Sequence, residues 1–245
     1  MKEALEKQFS LDLGQDIREN ANNIYVTNQS QPSMRYWARG AGSIVSYNNR
    51  LLVRTENPEL TEKLRKKYGN QFSDWFFEIP NMESLSQLLE AYDVRISRLA
   101  PFFIPSKKLE ITIAKDPRFV FISKEDIGAF KQDQRIKEAF CYSETDPDQL
   151  GLGYYEAGKL KAICGANDTG RFVWEIGIEI LDPELEGKGI AATLVRNLAA
   201  KIQEDYPEIG LVYGTAFSHT KSMNVAINAG FKVGFSEMML TKKKK

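Results

Sequence analysis

The order of periodic segments predicts an α/β or α+β fold, a central sheet with helices on its faces, preceded by a smaller α+β domain. Three observations carry this. From Leu109 onward, strand-like and helix-like segments follow as β, α, ββ, β, α, β, α, β. "RFVWEIGIEIL" is β-branched and aromatic, apolar at Val173, Ile176, Ile178 and Ile180, and leads through a glycine-containing turn into a helical run. The first part of the chain has its own strand and two helices, with an apolar, proline-bearing stretch before the second part begins.

Taken in order, "MKEALEKQFSLDLGQDI" is amphipathic and charged, and the chain reads as polar and irregular up to about Trp37. "NNRLLVRTENPEL" offers a strand at Arg50–Arg54 and a stop at Asn57-Pro58. "PELTEKLRKKYG" has Pro58 in a first turn, basic residues late and Gly69 after, the signals of a helix. Leu85, Leu88, Leu89 and Tyr92 recur at helical spacing. "RLAPFFIPSKK" reads as an extended connector, which places the domain boundary after Lys107: 1–107 and 108–245. "KLEITIA" is a candidate strand, and Ser123 with Asp126 caps a candidate helix containing Ile127, Phe130 and Ile136. Two strand-like runs flank Glu156-Ala157-Gly158, a hairpin. In "GIAATLVRNLAAKIQEDY", Ala191, Leu194, Leu198 and Ile202 share one helix face. "GLVYGTA" is a strand, "TKSMNVAINAGF" a helix ended by Gly230, and "KVGFSEMML" a closing strand.

Composition bounds the function classes. Hydrophobic residues are 42% and charged residues 27% of 245, an ordinary globular balance able to bury a sizeable core. Lys+Arg and Asp+Glu are both 33, so nothing global points to nucleic acid or an anionic membrane. The basic run Lys242–Lys245 reads as a frayed, solvated tail. Cys141 and Cys164 fit no metal spacing and no disulfide framework, which points to reduced thiols, a cytoplasmic setting and no metal. The N-terminus lacks the apolar core of a signal peptide, and no stretch approaches the ~20 apolar residues of a membrane span. The cluster Trp75, Phe76, Phe77, Phe102 and Phe103 reads as core.

The informative stretch is "DPELEGKGIAATLV" (Asp182–Val195). Gly187 and Gly189 stand at the mouth of a helix, where glycine is roughly 1 kcal/mol worse than alanine once inside. The first N–H groups of a helix lack internal partners, and the dipole adds partial positive charge there, so the mouth is an anion site. The glycines and the small Ala191 let a ligand approach the backbone, and Lys188 adds mobile positive charge. A P-loop pattern is absent. The dinucleotide pattern fits only in a relaxed form ending at Ala192, late in the domain and with no acidic residue closing "GLVYGTA", which leaves a nicotinamide-dependent oxidoreductase as a third reading.

"PELEGKGIA" resembles the acyl-CoA pyrophosphate loop of the GNAT N-acetyltransferases, Q/R-x-x-G-x-G/A, with Glu186 in the first slot, Gly189 in the fourth and Ala191 in the sixth. Glutamate departs from the family's Gln or Arg and sets a negative charge near a diphosphate. "SHTKSMNVAINAGF" resembles the later motif ending in GF: Gly230-Phe231 matches, Ser222 stands where a small residue is usual, and His219 stands where many members have an asparagine that contacts pantetheine. The resemblance covers about Leu109 to Lys242. It implies a GNAT-like mixed, mostly antiparallel central sheet. It also implies acetyl-CoA as co-substrate, bound by Glu179, Ile180, Leu181, Gly187, Lys188, Gly189, Ile190, Ala191, Ala192, His219 and Ser222.

The implied reaction is direct attack of a primary amine, on a small molecule, protein or peptide, upon the thioester. The amine must first be neutral, so a general base is needed. Glu175 and Glu179 share a strand face by period-2 alternation. Glu175 is six residues before Leu181, a spacing resembling that of the family's catalytic glutamate, and is the candidate base. The slot of the family's acid tyrosine, four residues before Gly230, holds Ala226. That departure favours a second reading, a sensor or regulatory protein that binds acyl-CoA without transferring the acyl group. The N-terminal domain is expected either to cover one side of the acceptor cleft or to mediate homodimerisation.

Overall fold

The computed structural model describes residues 2–19 and 21–243. In chain order the elements are α1 (Lys2–Leu13), β1 (Ile24–Thr27), β2 (Gly42–Tyr47), β3 (Arg50–Thr55), α2 (Pro58–Tyr68), α3 (Ile79–Glu90), β4 (Val94–Pro105), β5 (Phe119–Ile122), β6 (Asp148–Glu156), β7 (Lys159–Gly170), β8 (Val173–Ile180), α4 (Ile190–Asp205), β9 (Gly210–Gly214), α5 (Thr220–Asn228) and β10 (Phe231–Lys242). The fold is mixed α/β with mostly antiparallel pairing. Two compact units form: Leu5–Phe102 with Gly234–Lys245, here the N-terminal unit, and Met1–Ala4 with Phe103–Val233, the C-terminal unit. They are discontinuous in sequence, unlike the expected 1–107 and 108–245, because most of β10 pairs within the N-terminal unit.

In the N-terminal unit β1 lies parallel to β3, β3 antiparallel to β2, and β2 antiparallel to β10 (Glu237 opposite Val45). Asn48 and Asn49, at φ 49° and 59°, turn β2 into β3, a left-handed pair that asparagine tolerates. Leu60, Leu64, Phe76, Leu85 and Leu89 of the helical side pack with Met238 and Leu240 of β10. The segment that read as irregular holds α1 and β1. Its helix binds through a buried ionic cluster that periodicity does not register. Arg35 is 3% exposed and donates from Nε to Asp12 at 2.6 Å and from a terminal nitrogen to Glu237 at 3.0 Å. Gln8 donates to Asp12 at 2.8 Å, and the guanidinium lies 4.7 Å from the Phe9 ring centroid. Burial opposes the Arg35 charge, but Glu237 and then Asp12 outweigh it and hold the guanidinium more firmly protonated than usual.

Three other expectations are corrected. "RLAPFFIPSKK" is mainly the end of the twelve-residue strand β4. Phe76, Phe102 and Phe103 are core as expected, but Trp75 is 71% exposed. The lysine run is not frayed where described: Lys243 N–H donates to Asp93 at 2.7 Å and Lys242 pairs with Glu56 at 3.4 Å. Lys244 and Lys245 lie outside the described residues.

In the C-terminal unit β5, β6, β7 and β8 are antiparallel in that order, and β9 joins β8 in parallel. Ala157 and Gly158, at φ 47° and 73°, make the expected hairpin between β6 and β7. One face of α4 (Leu194, Leu198, Ile202) packs on Trp174, Ile176 and Leu211. "KLEITIA" joins no ladder among the described residues. Its Leu109 and Thr112 amides donate to Gln203 and Asn197 of α4 at 2.8 and 2.6 Å, so its apolar alternation serves a helix flank instead. The helix expected after Ser123 shrinks to a single turn, Ile127–Phe130. Ser123 does bond Asp126, at 2.8 Å, but the amides of Ala129, Lys131, Asp133 and Ile136 close separate local turns, and those of Lys137, Glu138 and Ala139 go to Glu179 of the sheet.

That capture has a sequence signature. Gly151, Gly165 and Gly177 are direct cross-strand neighbours on β6, β7 and β8. A methyl at Gly165 or Gly177 would run into the backbone carbonyls of Ala139 and Glu138, and one at Gly151 would come within 2.8 Å of the Phe140 ring. The glycine row is a trough in which residues 138–140 lie flat on the sheet. Gly177→Ala is therefore expected to destabilise by at least the ~1–3 kcal/mol of core overpacking. Gly128→Ala, whose methyl meets nothing within 4 Å, is expected to change little. Denaturant midpoints of the two variants check this.

Candidate functional site: a strand fork and a helix mouth

Among the described residues, β8 pairs with β9 only at Val173, Trp174 and Glu175, opposite Gly210, Leu211 and Val212. On its other side β8 stays paired with β7 as far as Ile180. Beyond Glu175, then, β8 has left β9 and one backbone edge is open. Parity says which residues present it. Gly210 N–H donates to Phe172 carbonyl at 2.8 Å, so even-numbered backbone groups of β8 face β9. Leu181 N–H donates to Lys161 carbonyl at 2.8 Å, so odd-numbered ones face β7. The open edge thus offers the N–H and C=O of Ile178 and Ile180. Ile180 was expected there. Glu179 and Leu181 were also expected and are turned to β7. Ile178 shares that edge although it was not among the expected residues, because the parity depends on a register that sequence does not contain.

Asp182 opens the turn after β8. Its carboxylate accepts from Glu184 N–H at 3.0 Å and pairs with Lys161, and the lysine and then that amide hold the carboxyl below its usual range. Gly187 and Gly189 both take the left-handed conformation, at φ 75° and 79°. A side chain there is strained, yet an added methyl would meet nothing within 4 Å. The glycines are needed for direction, and the space before them is open. Gly189 is the N-cap of the sixteen-residue α4, and no side chain caps it. The first helical bond is Thr193 N–H to Gly189 carbonyl, so the amides of Gly189, Ile190, Ala191 and Ala192 precede the ladder and point out of the mouth. At α2, by contrast, Asn57 caps with bonds of 2.9 and 3.1 Å, and Pro58 has no N–H to offer. Lys188 is exposed beside the open mouth.

The opposite face of β8 carries Glu175 and Glu179, with the strap 138–140 between them. The Glu179 carboxylate accepts the amides of Lys137, Glu138 and Ala139 at 2.7, 2.5 and 2.8 Å. It is an anchor for the strap, and neither its side chain nor its backbone faces the open edge. Glu175 is half-buried on the last rung shared with β9, at the vertex of the fork. The strap continues to Cys141 and Tyr142, whose amides donate to Asp148 at 2.9 and 2.8 Å. The Cys141 residue has an exposed surface, yet its thiol is pushed up to about 12, by desolvation first and then by Asp148, Glu175, Asp146 and Glu138. On the sheet, Asp148 of β6 and Glu175 of β8 both stand opposite Asn167 of β7, so two carboxylates flank one position near the vertex.

The start of α5 completes the site. His219 is its N-cap residue, exposed, with an imidazole that does not cap. Ser222 shares a 2.8 Å hydroxyl hydrogen bond with Tyr213 of β9, and burial pushes that phenol up. Lys221, which sequence reading did not single out, pairs with Glu186 at 2.7 Å. The pair links the first turn of α5 to the turn before α4. Ala226 is fully buried. Among the described residues no group of three His, Cys, Asp or Glu side chains is placed to hold a metal ion. No helix there is long and apolar enough to cross a membrane.

No protein-family model matches the chain, and no curated protein matches it. Similar solved structures include the GCN5-related N-acetyltransferase from Kribbella flavida, at 11% identity over 66% of this chain and 65% of that one, TM-score 0.45. Another is the GCN5-related N-acetyltransferase-like protein from Streptococcus suis 89/1591, at 13% identity over 79% and 71%, TM-score 0.41. A third is AAC(6')-Ib in complex with ribostamycin and coenzyme A, at 17% identity over 38% and 64%, TM-score 0.31. The chain spans less than two thirds of the Kribbella protein and of AAC(6')-Ib. The chemistry of the site rests on its own geometry.

Proposed function

We propose that the chain is an acetyl-CoA-dependent N-acetyltransferase whose acceptor is a primary amine of a small molecule, protein or peptide. One observation supports this above the rest: the open edge of β8 at Ile178 and Ile180 leads straight into the uncapped mouth of α4. An elongated ligand carrying amides at one end and a diphosphate at the other matches that track. The edge offers alternating donors and acceptors to the amides, and the mouth offers aligned N–H groups and positive potential to the diphosphate. Gly187 and Gly189 leave the approach clear. The bound acyl-CoA supplies an activated acyl thioester.

The chain's own residues do the rest. Glu175 stands at the vertex, where the reacting end of such a ligand comes to lie, and would take one proton from the acceptor ammonium directly or through one water. The neutral amine would then form the C–N bond as the C–S bond breaks, the thiolate leaving as coenzyme A and taking up the second proton shed by the nitrogen through solvent. The neighbouring carboxylates favour a cationic acceptor. Ser222 and His219 flank the arm from the α5 side, and Lys188 adds charge at the diphosphate. Glu175→Gln is expected to lower kcat about 100-fold, within the usual range for general-base catalysis, with acetyl-CoA affinity nearly unchanged. An unchanged pH–rate profile in this variant would rule out Glu175 as the base.

A buried alanine at position 226 supports the second reading, an acyl-CoA sensor without transfer, since that slot holds no proton donor. Turnover with an amine library, measured beside calorimetric titration with acetyl-CoA and NAD, separates the readings. Binding with turnover supports the enzyme, binding without turnover the sensor, and NAD binding alone the nicotinamide reading.

A further inference from the structure

Lys221 is in the first turn of α5, where no acidic residue stands, and a cation is disfavoured there by the helix dipole. Glu186 precedes the open mouth of α4, where a carboxylate is favoured. The two meet at 2.7 Å across thirty-five residues of sequence, with side chains 78% and 58% exposed. So exposed a pair adds little to stability. Its position says more: Glu186 lies just before Gly189, the uncapped N-cap of α4, and Lys221 reaches across from α5 to that carboxylate. The Lys221 ammonium is pushed up and the Glu186 carboxyl down by their contact, so both are charged near neutrality.

We propose that Lys221 is a diphosphate-binding residue held in reserve by Glu186, and that it changes partner from the carboxylate to the ligand's phosphate when the mouth of α4 is filled. This rests on the acyl-CoA reading. Glu186 sets the threshold: it holds Lys221 near the mouth, and its charge opposes any anion that fails to draw the lysine away. The pair therefore selects for a polyanion, a diphosphate with a further phosphate, over a single phosphate or carboxylate.

The test is calorimetric titration of the full chain with coenzyme A. Lys221→Met is expected to weaken binding about tenfold and to flatten its salt dependence, and Lys221→Arg to restore most of the loss. Glu186→Gln is expected to tighten binding a few-fold. The double variant is expected to depart from the product of the two single effects. Inorganic phosphate is expected to bind measurably only when Glu186 is neutralised. Additive effects, or unchanged affinity in Lys221→Met with its melting temperature kept, overturn the inference while leaving the acyl-CoA reading intact. Absence of coenzyme A binding by the unaltered chain overturns both.

Discussion

Gly189→Glu is expected to abolish coenzyme A binding while leaving the protein folded. Two effects act together. The left-handed φ of 79° disfavours any side chain by roughly 1–2 kcal/mol. The added carboxylate then stands before the amides that would receive the diphosphate, and apposed like charges cost several kcal/mol. At 1.4 kcal/mol per factor of ten, affinity should fall by about 100-fold or more. Gly189→Ala separates the two effects. It carries the conformational strain but meets nothing within 4 Å, so stability should drop and much of the affinity remain. Calorimetry with far-ultraviolet circular dichroism as a control reads both. Normal binding in Gly189→Glu would remove α4 from the site.

The largest effect on stability is expected from Arg35→Leu. This leaves Asp12 and Glu237, 3% and 0% exposed, facing each other without their shared cation. Breaking a buried pair in this way costs about 3–5 kcal/mol. The loss should show in urea unfolding at neutral pH. It should shrink as pH falls and the stranded carboxylates take up protons, because folding then no longer buries bare charge. A pH-independent loss would mean that the stacking of Arg35 on Phe9 matters more than its charge.

The strands and helices of the C-terminal unit were legible where periodicity met a local signal: Ala157-Gly158 for the hairpin, Gly189 for the start of α4, Gly230 for the end of α5. They failed where long-range bonds replaced local ones. The alternation of Leu109, Ile111 and Ile113 is real but serves the flank of α4, and the helix expected after Ser123 breaks into local turns before Glu179 takes the amides of its last residues, 137–139. Arg35 and Glu237 are charged, so a hydrophobic pattern passes over them, although they fasten α1 and β10. The turn of the candidate site was readable because glycine at a helix mouth is locally anomalous. The edge at Ile178 and Ile180 was only half readable, since neighbouring residues differ by the parity of a register. Lys221 had no local signal, because its meaning lies in facing Glu186.

The bond from Arg35 to Glu237 spans 202 residues. During synthesis β1, β2 and β3 therefore emerge well before β10, the strand that completes their sheet. Residues 103–233 can condense in that interval, whereas β2 waits with an unfilled edge for β10. Long-range closure of this kind slows folding and prolongs the exposure of strand edges. A chain truncated before Gly234 would lack the strand that completes the sheet of β1, β2 and β3, and it is expected to aggregate through the N-terminal unit.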